Sequence, residues 1–173
     1  MNAPKVRAVD GDEMRQLIPA LADILVDCVA GDASVSFMAP YGMEEAMAFW
    51  EKVADAAGKD QVSVLVAEVD GIPRGTVQIA YDLPPNQPHR GEVRKLLVHR
   101  SARGRGLGRA LMTAAETVAA ARGKSLLCLD TASPAAGHIY TELGWTRVGV
   151  IPDFALLPKG GFCDTVIFYK RLR

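Results

Sequence analysis

The chain has 173 residues, of which 49% are hydrophobic, and its 20 basic side chains are balanced by 20 acidic ones. This length suits one domain spanning residues 1–173, and the composition excludes a disordered protein and one with a generally basic, nucleic-acid-binding surface. The N-terminal region turns polar early and no stretch approaches the ~18 apolar residues of a membrane span, so we expect a cytoplasmic protein without a membrane partner.

The spacing of apolar residues predicts alternating strands and helices along the chain. The predicted segments are strand 5–9, a helix reaching 28, loop 31–42, helix 43–57, a hairpin within 61–83, loop 84–91, strand 92–99, a helix from 106 to near 123, strand 125–130, helix 134–143, and strands 145–151 and 163–172, separated by a loop. The order β-α-α-β-β-β-α-β-α-β-β predicts an α/β fold with one sheet and helices on both of its faces.

Helix starts are indicated by capping residues. Asp10 or Asp12 is placed to cap the first helix, and Thr131 or Ser133 followed by Pro134 is typical of the start of the last one.

The three cysteines, Cys28, Cys128 and Cys163, are far apart and lack the spacing of a zinc site. We therefore expect buried free thiols, with neither a disulfide nor a bound metal.

A glycine-rich turn, VHRSARGRGLGRALM (98–112), lies between a predicted strand and a predicted helix. A dinucleotide fingerprint starting at Gly104 would need glycine where Arg109 stands, and a Walker loop ending at 123–125 would need glycine where Val118 stands. Neither a dinucleotide nor ATP is therefore indicated.

What remains is the pattern Arg103-x-x-Gly106-x-Gly108, which resembles the acyl-CoA signature of the GCN5-related N-acetyltransferase (GNAT) family. The segment HIYTELGW (138–145) is similar to that family's helix with a tyrosine before a Leu-Gly-aromatic ending. The resemblance implies a central mixed, mostly antiparallel sheet of about seven strands. More narrowly, the sequence is similar to the branch that includes the tabtoxin-resistance acetyltransferase, through NQPHRGEV (86–93), LLCLDT (126–131) and IPDFALLPKGGFCDTVIFYK (151–170).

Glycines in this turn let backbone N–H groups converge on the pyrophosphate of coenzyme A, and the helix dipole adds to the attraction. The resemblance further implies that the pantetheine arm contacts the end of the preceding strand. The predicted coenzyme-binding residues are Leu96, Leu97, Val98, Arg103, Gly104, Arg105, Gly106, Leu107, Gly108 and Arg109. The alternative is a solvated basic face or nucleic-acid patch formed by basic residues 94, 95, 100, 103, 105 and 109, which the absence of aromatic residues from the segment disfavours.

Tyr140 matches the family tyrosine that reaches the coenzyme sulfur, so the resemblance implies a general acid. Its alternative role is a core tyrosine whose hydroxyl bonds to the backbone, because Ala136, Tyr140 and Leu143 share a helix face.

Two carboxylates at the ends of adjacent predicted strands are candidates for the base. Glu92 shares one side of its strand with Arg94 and Leu96, whereas Asp130 ends a continuous apolar run that predicts a strand buried on both faces and a partly desolvated carboxylate. The structural alternatives are Glu92 paired with Arg94 and Asp130 capping the next helix, and a water could relay the proton.

Five further residues are predicted to line the amine pocket: Phe37, Met38, His89, Arg90 and Phe154. We predict an enzyme that transfers the acetyl group of acetyl-CoA to a small-molecule amine, such as an antimetabolite or amino-acid-like compound, by direct attack in a ternary complex. Neither a metal nor a nucleic-acid partner is expected, and family members are often homodimers. The alternatives are acetylation of protein lysines or N-terminal amines, and a noncatalytic acyl-CoA-binding module.

Overall fold

A computed structural model describes residues 4–172. Seven strands, four α-helices and one short 3-10 turn follow each other in the order predicted from the sequence. The elements are β1 Lys5–Val9, α1 Gly11–Ala30, α2 Met43–Gly58, β2 Val62–Val69, β3 Ile72–Ala80, β4 Arg90–Val98, the 3-10 turn Arg100–Ala102, α3 Leu107–Ala121, β5 Leu126–Thr131, α4 Pro134–Glu142, β6 Thr146–Leu156 and β7 Phe162–Arg171.

Two of the predicted capping residues fix the starts of their helices. The Asp10 carboxylate accepts a hydrogen bond from the Glu13 amide at 2.8 Å, and the Ser133 hydroxyl accepts one from the Ala136 amide at 3.2 Å. Each side chain satisfies a first-turn amide that has no partner inside its helix.

The sheet is mixed, with the strand order β1-β2-β3-β4-β5-β7-β6. All neighbours are antiparallel except β4 and β5, which run parallel. The connection from β4 to β5 begins with the glycine turn and continues through α3. The turn therefore lies at the C-terminal end of β4.

Helices cover both faces of the sheet and divide the core in two. Alternating residues of β2 point to opposite faces: Val64 packs with α1 and α2, whereas Leu65 packs with α3. Trp50 and Leu111 are among the largest fully buried side chains on the two sides.

Three predictions about the strands need correction. Strand β6 continues to Leu156, through residues predicted as loop, because its pairing with β7 resumes after an irregularity between Ile151 and Ala155. Strand β5 is fully buried on only one face, and Cys128 on the other is half-buried, as is Cys163. Strand β4 begins at Arg90, within the segment predicted as loop.

Candidate active site

Strands β4 and β5 separate soon after they begin. Arg90–Glu92 pairs with Leu126–Cys128, and beyond these residues the parallel ladder stops. The remainder of β4, Val93–Val98, keeps β3 on one side and has no partner strand on the other. We call this unpaired side the open edge of β4.

A β-bulge at Lys95 interrupts the alternation of β4. The register against β3 shifts by one residue there, and Lys95 has a φ of 52°. Glu92 and Arg94 share a face and bond to each other at 3.2 Å, but Leu96 packs with the α3 side of the core. The prediction that Leu96 shares their face is therefore wrong, because the extra residue reverses the alternation.

The end of β4 directs one peptide toward the open edge. The His99 amide donates to the Arg74 carbonyl on β3 at 2.9 Å. Because hydrogen-bonding direction alternates along an antiparallel ladder, the peptide groups of Leu97 also face β3 and those of Val98 face the open edge. The Val98 carbonyl already accepts a hydrogen bond from the Arg103 Nε at 3.1 Å. The Val98 amide is therefore the group of this peptide that can bond a ligand.

The glycine turn presents a row of unpaired backbone donors. Within the described part of the chain, no amide from Gly104 to Arg109 has an acceptor, and the bond that opens the helix runs from the Ala110 amide to the Gly106 carbonyl at 3.0 Å. Gly104 and Gly106 have φ values of 74° and 79°, and a Cβ on either would meet open space. Consecutive amides at a helix N-terminus fit an anion such as a pyrophosphate.

Most arginines near the turn are already engaged. Besides the arginine bonded to the strand end, Arg100 donates through Nε to Asp27 at 2.9 Å, and Arg109 forms an ion pair with Glu142. Arg105 is exposed and has no acceptor among residues 4–172. The backbone therefore supplies most of the free donors in this turn.

Helix α4 packs directly on the turn. A Cβ added to Gly108 would lie 3.0 Å from Cδ1 of Ile139, so glycine permits the close approach of α3 and α4. This contact brings α4, which carries Tyr140 directly after Ile139, against the turn Arg103–Arg109, which we call the cradle.

Tyr140 is buried between aromatic neighbours. Its ring centroid lies 5.8 Å from that of Trp145 and 5.5 Å from that of Phe168. Burial, with a smaller contribution from the negative charge of Asp130, raises the pKa of the Tyr140 hydroxyl. Within the described residues the hydroxyl has no hydrogen-bond partner, in contrast to the backbone bond expected of a purely structural tyrosine.

The two candidate bases have different surroundings. Glu92 accepts from Arg94 at 3.2 Å and lies 3.7 Å from the Arg90 guanidinium, so its carboxylate is held in ion pairs. Asp130 is exposed, and it accepts a hydrogen bond from the Thr165 hydroxyl at 2.7 Å. Asp130 is therefore not desolvated as expected from the apolar run that precedes it.

Loop 31–42 is tied to the loop between β6 and β7. The Ala39 amide donates to the Pro158 carbonyl at 2.9 Å, and the Lys159 amide donates to the Asp32 carboxylate at 3.0 Å. These two segments are therefore in contact.

An aromatic cluster joins loop 31–42 to β4. The half-buried Phe37 ring lies 4.6 Å from Tyr41 and 5.1 Å from Phe49 between centroids, and the Lys95 ammonium lies 5.7 Å from the Phe37 centroid. Lys95 also donates to the Ser36 hydroxyl at 3.0 Å. Sequence reasoning assigned Lys95 only to a basic surface, because nothing in the local sequence signals the bulge that turns it inward.

The remaining predicted pocket residues are not gathered around this cluster. Met38 is 47% exposed and Phe154 is 53% exposed. The His89 carbonyl accepts from the Ser125 amide at 2.9 Å, which places His89, with Arg90, at the end of β4 remote from the glycine turn.

No three His, Cys, Asp or Glu side chains of the described residues are grouped closely enough to hold a metal ion. Among the helices described, none combines the length and apolar character needed to cross a membrane.

Known proteins share the sequence pattern and the fold of this chain. The model of the Acetyltransferase (GNAT) family matches residues 28–145. An N-acetyltransferase from Staphylococcus aureus Mu50 is 18% identical, with a TM-score of 0.82 over 99% of this chain and 100% of that one. The protein yncA from Salmonella typhimurium, solved with its cofactor acetyl-CoA, is 19% identical, with a TM-score of 0.80 over 99% and 95% of the two chains.

A GNAT superfamily phosphinothricin acetyltransferase from Sinorhizobium meliloti, in complex with acetyl-CoA, is 18% identical, with a TM-score of 0.80 over 99% of this chain and 89% of that one. At these identities the structural matches establish the fold, and the family model covers more than half of the sequence. The chain therefore belongs to the Acetyltransferase (GNAT) family.

Proposed function

We propose that this protein is an N-acetyltransferase that uses acetyl-CoA to acetylate the primary amine of a small molecule, by direct attack in a ternary complex. The observation that carries the proposal is the row of unpaired amides from Gly104 to Arg109, at the end of an open strand edge and beside Tyr140. We further propose that the single domain acts in the cytoplasm.

The residues present fit coenzyme A in two places. The Gly104–Arg109 amides are placed to bind its pyrophosphate, and the open edge of β4, which includes the Val98 amide, is placed to receive the extended pantetheine arm with its thioester. When bound, acetyl-CoA supplies an activated acetyl thioester. The same Val98 amide is a candidate donor to the thioester oxygen, where negative charge develops during acyl transfer.

Proton transfers are assigned to three side chains. A primary amine with a pKa of ~10.4 is almost wholly protonated at pH 7, at a cost of roughly 4–5 kcal/mol for the reactive form. Asp130 or Glu92, directly or through a water, takes a proton from the amine. Tyr140 is protonated at neutral pH, since its ordinary pKa of 10.0 is raised further by burial, and it holds a proton for the departing sulfur.

A small acceptor is favoured by the cover over the site. Loop 31–42 is hydrogen-bonded to the β6–β7 loop and anchored to β4 through Ser36 and Lys95. A peptide substrate needs an open groove, whereas this closed arrangement suits a small molecule. The name of the Sinorhizobium meliloti protein is in line with the branch suggested by the sequence.

The test begins with calorimetric titration of acetyl-CoA, using ATP and NADH as controls, followed by assays of thiol release with panels of small amines and lysine peptides. We expect selective acetyl-CoA binding and acetylation of a small amine. Acetylation of peptides alone would support the protein-modifying alternative, and binding without any transfer would support a noncatalytic module. No binding of acetyl-CoA would contradict the assignment of the cradle.

We also propose a homodimer that forms through β6. This strand is the outer edge of the sheet, and it exposes an unusual number of apolar side chains together with the first residue of β7: Val148, Val150, Ile151, Phe154, Leu156 and Phe162. Light scattering of the purified protein tests this, and a monomer mass at micromolar concentration would refute it.

A further inference from the structure

The bulge residue Lys95 has an uncommon backbone conformation. Its φ of 52° lies in the left-handed region that residues with a Cβ rarely adopt. Such conformations persist where the surrounding structure holds them, and they are concentrated at functional sites. Here the bulge places the side chain under loop 31–42, on the side of the sheet covered by α1 and α2.

The Lys95 ammonium is enclosed but has no counter-ion. It donates to the Ser36 hydroxyl at 3.0 Å and lies 5.7 and 6.0 Å from the ring centroids of Phe37 and Phe49. Among residues 4–172, no carboxylate lies within 4.0 Å of it. Enclosure lowers the pKa of Lys95, and Arg94 lowers it further. Lys95 is half-buried and its charge has no counter-ion among these residues, so it is available to bind an anion.

Two buried polar side chains on the same side of the sheet also lack hydrogen-bond partners. The Trp50 ring meets Phe49 edge-to-face at 5.1 Å between centroids, and its buried indole nitrogen has no acceptor. Gln78, opposite Arg94 in the β3–β4 ladder, has a buried side-chain nitrogen without an acceptor. Both nitrogens are donors, and both are buried in the packed side of the sheet.

The Asp130 carboxylate, on the neighbouring strand β5, acts electrostatically on Lys95. The negative charge of Asp130 raises the pKa of Lys95, although the two groups form no ion pair. The open edge of β4 is thus flanked by a cation on one side and a carboxylate on the other. Such a pair of opposite charges fits a molecule that carries both an amine and an anion.

We propose that Lys95, with Ser36 and the aromatic rings beside it, forms a carboxylate-binding subsite, and that the acetyl acceptor is an amine that also carries a carboxylate. The inference rests on the proposed function and specifies its substrate class. The carboxylate of the acceptor does not have to displace a counter-ion of Lys95. The amino group of the acceptor is then directed toward Asp130.

The test compares L-amino acids with their α-amides and with the amines that lack the carboxyl group. It uses the wild type, Lys95→Met, Lys95→Gly, Lys95→Arg and the control Lys124→Met. Lys124 is also a lysine over an aromatic ring, 5.1 Å from the Tyr81 centroid, but it bonds to the Pro88 carbonyl remote from the cluster. Lys95→Gly relieves the backbone strain, so it retains the fold even if Lys95→Met does not.

For the wild type, we expect kcat/KM of the best amino acid to exceed that of its amide by about tenfold or more, as for a hydrogen bond between charged groups. Lys95→Met and Lys95→Gly remove this preference, Lys95→Arg keeps part of it, and Lys124→Met keeps all of it. Equal use of acid and amide by the wild type, or an unchanged preference in both uncharged variants, would overturn the subsite.

A binding measurement separates the subsite from the reaction. The N-acetyl derivatives of the same amino acids, and their amides, are titrated into the protein loaded with coenzyme A. Tighter binding of the acids that depends on Lys95 supports the subsite even if no acceptor is acetylated, in which case only the proposed function fails. Acetylation confined to neutral amines or peptides, with no Lys95-dependent binding, overturns the subsite and leaves the acetyltransferase.

Discussion

Replacing Gly106 by alanine tests the cradle most directly, because its two effects can be separated. Gly106 has a φ of 79°, and an added Cβ would contact nothing within 4 Å. The change therefore costs only conformational energy, about 1–2 kcal/mol for an alanine in the left-handed region. The corresponding fall in Tm is about 2–8 °C for a chain of this size.

The effect on coenzyme binding is larger, because the new methyl group occupies the open space above the amides. Losing one hydrogen bond to a charged phosphate oxygen costs about 1.5–3 kcal/mol, which weakens acetyl-CoA binding by about ten- to a hundredfold. Gly123→Ala is the matched control, since Gly123 follows the other end of α3, has a φ of 73° and also faces open space.

Differential scanning fluorimetry and calorimetry measure the two effects on both variants. We expect similar losses of Tm but weaker acetyl-CoA binding only in Gly106→Ala. Equal dissociation constants in the two variants would show that the turn does not hold the coenzyme.

Three further results are expected. Tyr140→Phe keeps the acetyl-CoA dissociation constant but lowers kcat by about tenfold or more, and an unchanged kcat removes Tyr140 from the mechanism. Of Glu92→Gln and Asp130→Asn, the variant that lacks the base loses about 10²–10⁴-fold in kcat/KM at pH 7. Its kcat/KM recovers as the pH is raised toward the pKa of the amine, and unchanged pH profiles in both variants would exclude these carboxylates as the base. The pKa of Tyr140 is raised above its ordinary value of 10.0, so its contribution to folding is complete below pH 10 and declines above it. Urea unfolding at pH 8 and pH 11 should show a smaller alkaline loss in Tyr140→Phe than in wild type, and equal losses would refute this.

Local signals in the sequence were sufficient to predict the order of the elements. Helical and strand periodicities, the Asp10 and Ser133 caps and the prolines of 84–91 are each set by residues close together in the chain. The family and the glycine turn were equally accessible, since a row of unpaired amides needs glycines at fixed spacing within one short segment.

Features that depend on strand pairing were not accessible in this way. The bulge at Lys95 exists only in the register between β3 and β4, so alternation counted along β4 misplaced Leu96. The continuation of β6 to Leu156 depends on pairing with β7. The exposure of Asp130 follows from the separation of β4 and β5, which no single segment encodes.

The engagement of the arginines near the turn has a consequence for ionic strength. Arg100 is bound to Asp27, Arg103 to the Val98 carbonyl and Arg109 to Glu142. Few basic side chains near the turn are therefore free to bind salt ions that a ligand would release. Attraction that relies on fixed peptide dipoles releases few bound salt ions. The dissociation constant of acetyl-CoA is therefore expected to depend only weakly on salt concentration, unlike the steep dependence of proteins that grip phosphates with free lysines and arginines.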